Sequence, residues 1–178
     1  STTMKMLTGF LAPTSGTALI NGVDVVENPV EARKNIGYLP EGAPSYGEMT
    51  VHQFLVFVAR ARLIRKSEVT ASVDRVIQKL NLAHVKHQAI ETLSKGFKRR
   101  VGLAQAIIHD PQILILDEPT DCLDPNQKRE VRGLIRAMAK DKINIISTHI
   151  LEEVAAVCNR VMIIANGRLL ADDTPQGL

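Results

Sequence analysis

The amino-acid sequence predicts an α/β fold in which a largely parallel sheet is flanked by helices. Two apolar runs, residues 113–116 and 143–147, have the composition of strands that are buried on both faces. Segments with helical periodicity follow both runs, and this strand–helix alternation favours parallel strands. A long helical stretch at residues 51–109 interrupts the alternation. It predicts a helical subdomain inserted into a core that residues 1–50 and 110–178 form.

The composition is that of a single globular domain. The chain has 178 residues, 45% of them hydrophobic and 23% charged, with a net charge of +3, which excludes a disordered chain. The longest apolar run, residues 54–59, is far shorter than the roughly 20 residues that cross a bilayer. Aromatic residues make up only 3%, which argues against stacking platforms for single-stranded nucleic acid. Cys122 and Cys158 are too few for a disulfide framework and indicate free thiols in the cytoplasm.

The first fifty residues combine short helices, short strands and turns. A helix is expected to end at Gly9, where glycine tolerates the left-handed cap. Asn21-Gly22 is a strong hairpin signal between two short apolar segments. The further expected elements are strands at 17–20, 23–26 and 36–39, a helix at 29–34 and a loop at 40–50.

The rest of the chain is mainly helical until the last strands. Ser67 and Ser94 are expected to cap two helices, and Pro125 to open a third. Asn166-Gly167 predicts a second hairpin, between strands at 161–165 and 168–171. The expected helices are at 51–63, from 67, from 94 to 108, from 125 to about 140, and at 150–157.

Asp117 and Glu118 directly follow the apolar run at 113–116. Ligands of open parallel sheets bind at the carboxyl ends of the strands, where these two carboxylates are delivered. One of them can hold Mg²⁺, and the other can polarise a water for attack on phosphorus. Taken alone, such a pair is also typical of a solvated strand end.

His149 ends the second apolar strand in the same way. An imidazole at that position can donate a hydrogen bond to a terminal phosphate and orient a water. A lone histidine is more often a satisfied structural residue.

Ser94 and Gly96 stand at a predicted helix start, where exposed N–H groups and the helix dipole form an anion site. Basic residues oppose the dipole in the first turns of this helix. They indicate either an anionic partner or nearby carboxylates, or else a solvated basic face. These residues are Lys95, Lys98, Arg99 and Arg100.

The run Ser1-Thr2-Thr3 opens the first helix. Hydroxyl residues follow Gly-Lys in phosphate-binding loops, where the first hydroxyl reaches Mg²⁺ and the second a phosphate oxygen. Without such a loop before it, this run does not by itself indicate a phosphate-binding site.

In the order in which these motifs follow one another along the chain, the sequence resembles the ATP-binding subunit of ABC transporters. The resemblance covers essentially the whole chain. The resemblance implies a P-loop NTPase (RecA-like) sheet. Residues 93–97 resemble the family signature and 113–118 the Walker B strand. Residues 121–124 resemble the D-loop, 36–41 the Q-loop region, and His149 the switch histidine.

The resemblance also implies roles for the motif residues. Mg²⁺ is expected at Ser1, Glu41 and Asp117, and the general base is Glu118. His149 and Glu41 sense the terminal phosphate of ATP, which Thr2 helps to bind. Ser94, Lys95 and Gly96 bind the nucleotide of a second ATPase subunit in a head-to-tail homodimer or heterodimer, and Asp124 helps to fix the water. The implied partner is a transmembrane permease at the cytoplasmic face of the membrane. The implied process is ATP-driven transport in the export direction.

The sequence departs from the family in several places. The Gly-rich loop, its lysine and the preceding strands are missing, so we expect an N-terminally truncated chain that binds ATP poorly and is inactive alone. Glu41 stands where the family usually has glutamine, Lys95 and Phe97 where glycine and glutamine are commoner, and Cys122 replaces a smaller residue.

Two other functions remain open at this point. One is an ABC-type ATPase that acts on nucleic acid or ribosomes without a permease, although no nucleic-acid partner is expected. The other is a non-catalytic fragment. His84 and His87 have the spacing of a metal pair, but further ligands are not near them in the sequence.

Overall fold

Three parallel strands form the central sheet of the computed structural model, which describes residues 2–42, 45–121 and 123–177. Their order is β3-β4-β5, and Ile113 is paired with Ile36 on one side and Ile143 on the other. Two antiparallel hairpins accompany this sheet. The strands are β1 (Leu19–Ile20), β2 (Val23–Asp24), β3 (Ile36–Leu39), β4 (Ile113–Asp117), β5 (Ile143–Ser147), β6 (Val161–Ala165) and β7 (Arg168–Asp173).

Helices connect these strands, as the sequence predicts for a parallel sheet. They are α1 (Thr2–Leu7), α2 (Pro29–Lys34), α3 (Val51–Ala61), α4 (Val69–Lys79), α5 (Lys95–Ile107), α6 (Pro125–Met138) and α7 (Leu151–Val157). Short 3₁₀ turns lie at Ala83–Val85 and Ile90–Thr92.

Every residue of β4 is buried, and its alternate side chains enter different cores. Leu114 and Leu116 belong to the larger core, which includes residues of α3, α4, α5 and α6. Ile113 and Ile115 belong to a smaller core with Ile36. The prediction of a strand buried on both faces is therefore confirmed for β4.

The prediction is wrong for β5, the second apolar run. Its last four residues are half-buried, and its first residue, Ile143, is 59% exposed. In the described part of the chain, β4 is the strand that pairs with β5, so one edge of β5 has no neighbouring strand.

Helix α3 begins at a capping box, in which Thr50 accepts from the Gln53 amide at 3.2 Å and the Gln53 side chain accepts from the Thr50 amide at 3.0 Å. Helix α4 begins at Val69 and not from Ser67, and the Glu68 amide donates to the Arg65 carbonyl to close a separate turn before it. Ser67 lies inside that turn, so its prediction as the cap is wrong. The division into a core and a subdomain at 51–109 stays a prediction, since α5 packs on both α3 and β3.

Both Asn-Gly pairs form the predicted hairpin turns. Asn21 and Gly22 have φ angles of 50° and 79°, and Asn166 and Gly167 have φ angles of 52° and 73°. Positive φ at both central residues is the geometry that fits the twist of two-residue hairpins. Gly9, with φ of 70°, lies just beyond α1, as expected of a helix end.

Candidate functional site

The carboxyl ends of β4 and β5 bring the predicted acidic pair and the histidine together. Asp117 is paired with Ser147 in the strand register and is 1% exposed. The Ser147 hydroxyl donates a hydrogen bond to Asp117 Oδ1. The Glu118 amide donates to the Ser147 carbonyl at 3.1 Å. Parallel pairing therefore places both carboxylates at the edge of the sheet where ligands bind.

Glu118 is in contact with His149. Glu118 Oε1 lies 3.0 Å from His149 Nδ1, and the two side chains are 20% and 70% exposed. The hydrogen bond to Glu118, followed by the negative charge of the same carboxylate, raises the pKa of His149 above its ordinary value. The contact therefore favours the imidazolium form and holds the carboxylate in one orientation.

The backbone of Glu118 has a φ of 48°, in the left-handed region. Residues with a Cβ rarely adopt this region, and they remain there only where their surroundings hold them. The turn directs the Glu118 side chain out of the buried strand and toward His149, which sits beyond β5.

Glu41 lies in the loop that follows β3 and is exposed. Burial raises the pKa of the Tyr38 hydroxyl, and the negative charges of Asp117 and Glu41 raise it further. The charges of both carboxylates therefore act on the same side chain of β3.

Ser94 caps α5 as predicted, because its Oγ accepts a hydrogen bond from the Phe97 amide at 3.4 Å. Ser94 and Lys95 are exposed, whereas Gly96 is buried against α6. A Cβ built on Gly96 would lie 2.5 Å from Cδ of Gln127, so the absence of a side chain allows this close approach.

Asp124 caps α6. Its Oδ1 accepts hydrogen bonds from the amides of Asn126 and Gln127, both at 3.0 Å. Ser94 and Asp124 thus each accept hydrogen bonds from amides in the first turn of their own helix. Asp117, Glu118 and His149 form the directly connected group.

Thr2 is exposed at the start of α1, which rests through Met4 and Leu7 on the smaller core of the sheet. The predicted role of Ser1 and the free thiol predicted at Cys122 concern positions outside the described residues. Cys158 is a free thiol, and burial raises its pKa.

His84 and His87, which have the spacing of a metal pair but no further ligands near them in the sequence, contact different rings. His84 packs edge-on against Phe97 with the ring centroids 5.1 Å apart, and His87 lies 6.4 Å from His52. Among the described residues, no group of three or more histidine, cysteine, aspartate or glutamate side chains is placed to hold a metal ion.

The sequence-based description of a solvated basic face on α5 is wrong for Arg99, which is 7% exposed. Its guanidinium donates to backbone carbonyls at the ends of β3 and β4. The helical spacing indicates that Arg99 lies on the buried face of α5, because it is three residues after buried Gly96 and four before buried Leu103. The expectation of nearby carboxylates is confirmed for Arg100, which pairs with Glu130 of α6.

Comparison with known proteins agrees with this geometry. The profile of the family described as "ABC transporter" matches residues 1–121, which is more than half of the chain. This chain belongs to the ABC transporter family. The ABC transporter ATP-binding protein YxlF of Bacillus subtilis (strain 168) is 37% identical over 169 residues, which cover 95% of this chain and 56% of that protein.

Other relatives within the ABC transporter family cover the chain equally well. The probable multidrug ABC transporter ATP-binding protein YbhF of Escherichia coli (strain K12) is 36% identical over 100% of this chain, which spans 31% of that protein. The bacitracin transport ATP-binding protein BcrA of Bacillus licheniformis is 37% identical over 97% of this chain and 56% of its own length. The chain thus spans about half or less of the length of these relatives.

Solved structures of the ABC transporter family share the fold. An ATP-binding subunit of an ABC transporter superposes with a TM-score of 0.85 at 29% identity, covering 97% of this chain and 72% of that structure. The cbiO1 protein of Clostridium perfringens, part of the complex cbiONQ, superposes with a TM-score of 0.84 at 27% identity. The predicted P-loop NTPase fold is therefore confirmed, and ATP is the nucleotide that this family binds.

Proposed function

We propose that this chain is the ATP-binding and ATP-hydrolysing part of an ABC transporter and that it powers transport across a membrane in the export direction. The observation that carries the proposal is the contact of Glu118 with His149, beside Asp117, at the carboxyl ends of two adjacent parallel strands. A carboxylate held by an imidazole at that edge of the sheet is suited to act on a water near a phosphate.

Mg²⁺ is the metal that fits the oxygen donors at this edge. Asp117 offers a carboxylate at the strand end, oriented by the Ser147 hydroxyl, and Glu41 follows β3, the strand paired in parallel with β4. With the hydroxyl of Ser1, these residues would hold the ion. When bound, Mg²⁺ neutralises charge on the phosphate oxygens of ATP.

Glu118 acts as the general base for the attacking water. Its turn and its contact with His149 fix the carboxylate before ATP arrives, so little reorganisation is needed at the moment of reaction. His149 is 70% exposed and can contact the terminal phosphate, and its raised pKa increases the share of the cationic form that favours that contact. Glu41 senses the same phosphate group, and Thr2 binds another phosphate oxygen.

A second ATPase subunit completes the site in a head-to-tail homodimer or heterodimer. Ser94 and Lys95 are exposed at the start of α5, where the N–H groups and helix dipole favour an anion. With Gly96 they would bind the terminal phosphate of the nucleotide held by the other subunit. The Asp124 carboxylate caps α6 and would thereby hold the D-loop near the attacking water.

A transmembrane permease is the proposed partner, and the cytoplasmic face of the membrane is the proposed location. The support comes from relatives that are named multidrug and bacitracin transport ATP-binding proteins. No helix among the described residues is both long and apolar enough to cross a bilayer. Co-purification with a polytopic membrane protein tests this partner, and recovery of nucleic acid instead would contradict it.

Glu118→Gln in the full-length protein tests the assignment of the base. We expect hydrolysis to fall by about 10² or more, because the variant keeps the shape of the side chain but cannot accept the proton. An ATP-bound dimer should accumulate, which size-exclusion chromatography with ATP can detect. Glu31→Gln is the control, since it removes the same charge from an exposed pair with Lys34. Unchanged turnover of Glu118→Gln would remove Glu118 as the base.

A further inference from the structure

Arg99 connects the signature helix α5 to the ends of two strands of the sheet. Its Nη2 donates to the Asp117 carbonyl at 2.7 Å and also to the Glu118 carbonyl. Its Nε donates to the Pro119 carbonyl at 3.1 Å, and its Nη1 donates to the Pro40 carbonyl at 3.3 Å. One buried guanidinium therefore holds three successive carbonyls at the end of β4, from Asp117 to Pro119, and the carbonyl just after β3.

These carbonyls surround the strained turn at Glu118, which has a φ of 48°. Such a conformation persists only where its neighbours hold it. Ser147 holds the turn from the side of β5 by accepting the Glu118 amide hydrogen at 3.1 Å. Arg99 holds it from α5, through the carbonyls of Asp117 and Glu118. Lysine is a poor substitute, because a single ammonium group cannot match the planar, forked donors of arginine.

We propose that Arg99 is a positioning residue that locks the Glu118 turn and the end of β3 to the start of α5. The orientation of the signature helix then sets the direction of the Glu118 carboxylate. Pro40 immediately precedes Glu41, so the same side chain also holds the start of the loop that carries that carboxylate. The catalytic meaning of this link rests on the proposed function, in which Glu118 is the base. The hydrogen bonds from Arg99 to the turn and to the end of β3 do not depend on the proposed function.

The position of Glu118 can be followed without nucleotide through the imidazole of His149. In the folded protein the pKa of His149 is raised chiefly by Glu118, while Asp121 and Glu153 raise it less. If Arg99→Gln releases the turn, the contact with Glu118 weakens and the pKa of His149 falls toward its ordinary value of about 6.5. Loss of the Arg99 charge alone would have the opposite sign, because removing a nearby cation favours the imidazolium.

The experiment is an NMR titration of the imidazole nitrogens in the wild type, Arg99→Gln and Arg99→Lys. Glu118→Gln gives the reference pKa of His149 for complete loss of its contact with the Glu118 carboxylate. Arg65→Gln is the charge control, since it removes a guanidinium that is 81% exposed. We expect the pKa of His149 to fall in Arg99→Gln, to fall less in Arg99→Lys, and to be unchanged in Arg65→Gln. An unchanged or raised pKa in folded Arg99→Gln overturns the proposal. Should Arg99→Gln fail to fold, Arg99→Lys decides by the same criterion.

Turnover of the full-length protein provides the second readout. Arg99→Gln should lower kcat roughly tenfold to a hundredfold, because small misplacements of a reacting group have effects of that size. The KM for ATP should change little, whereas general loosening of the fold would alter both constants. Normal kcat in Arg99→Gln contradicts the proposal. Normal kcat in Glu118→Gln contradicts the proposed function instead and leaves the titration result standing.

Discussion

Replacement of Glu153 should destabilise the fold, because its carboxylate is buried among positive and polar groups. Glu153 is 2% exposed, with its Oε1 lying 3.3 Å from Arg132 Nη2 and 3.6 Å from Lys128 Nζ. Its Oε2 accepts a hydrogen bond from the Thr120 hydroxyl and lies 3.5 Å from the Thr148 hydroxyl. One carboxylate of α7 thus joins two basic residues of α6 to the loops that follow β4 and β5.

Glu153→Gln keeps the shape of the side chain but leaves two cations facing a neutral amide. Removing one partner of a fully buried ion pair costs about 3–5 kcal/mol. The side chains of Arg132 and Lys128 are each 26% exposed, so water compensates in part. We therefore expect a loss of about 2 kcal/mol in the free energy of unfolding, which corresponds to a fall of about 4–8 °C in Tm for a chain of this size.

Urea unfolding followed by circular dichroism measures this loss, with Glu152→Gln as the matched control. Glu152 is exposed on the same helix, and its replacement should change the free energy of unfolding by about 0.5 kcal/mol or less. If Glu153→Gln is no less stable than this control, the charge of Glu153 contributes nothing. In that case the reasoning from its burial is refuted.

Three further substitutions concern stability: one should lower it, one should raise it, and one should change how it depends on pH. Gly37→Ala should cost about 3 kcal/mol or more, because its Cβ would lie 2.1 Å from the Ala106 carbonyl oxygen, which belongs to backbone and cannot move away. Gly133→Ala should instead stabilise by about 0.5–1 kcal/mol, because alanine favours helix and, among the described residues, no atom beyond the adjoining backbone of α6 lies within 4 Å of its Cβ position. Thermal unfolding of both variants tests the contrast. Burial, followed by the charge of Arg62, lowers the pKa of His109 from 6.5 to about 4. Its folded pKa lies below its unfolded pKa, so the stabilising contribution is present above pH 6.5 and is lost as the pH falls toward 4. Stability should therefore fall by about 1–2 kcal/mol between pH 7.5 and pH 5. His109→Gln should remove this part of the pH dependence in urea unfolding, and an equal dependence in both proteins would refute it.

Local chemistry made much of the fold and of the site predictable. The apolar run at 113–116 predicts a strand from its own composition, and the two Asn-Gly pairs predict tight turns through their positive φ angles. The Ser94 cap depends only on residues three positions apart. Because parallel strands end at the same edge of a sheet, a carboxylate pair after one strand and a histidine after another already predicted their meeting.

Residues that depend on distant partners were decided only by the tertiary structure. Arg99 and Glu153 are charged, yet both are buried, because carbonyls, cations and hydroxyls from other segments surround them. Conversely, Ile143 lies in an apolar run and is 59% exposed, since burial of a strand requires neighbours on both sides. The sequence by itself determined where strands, turns and helix starts occur, through interactions within a few residues. The folded chain determined which charges are buried, because only folding brings together the groups that compensate for the loss of water.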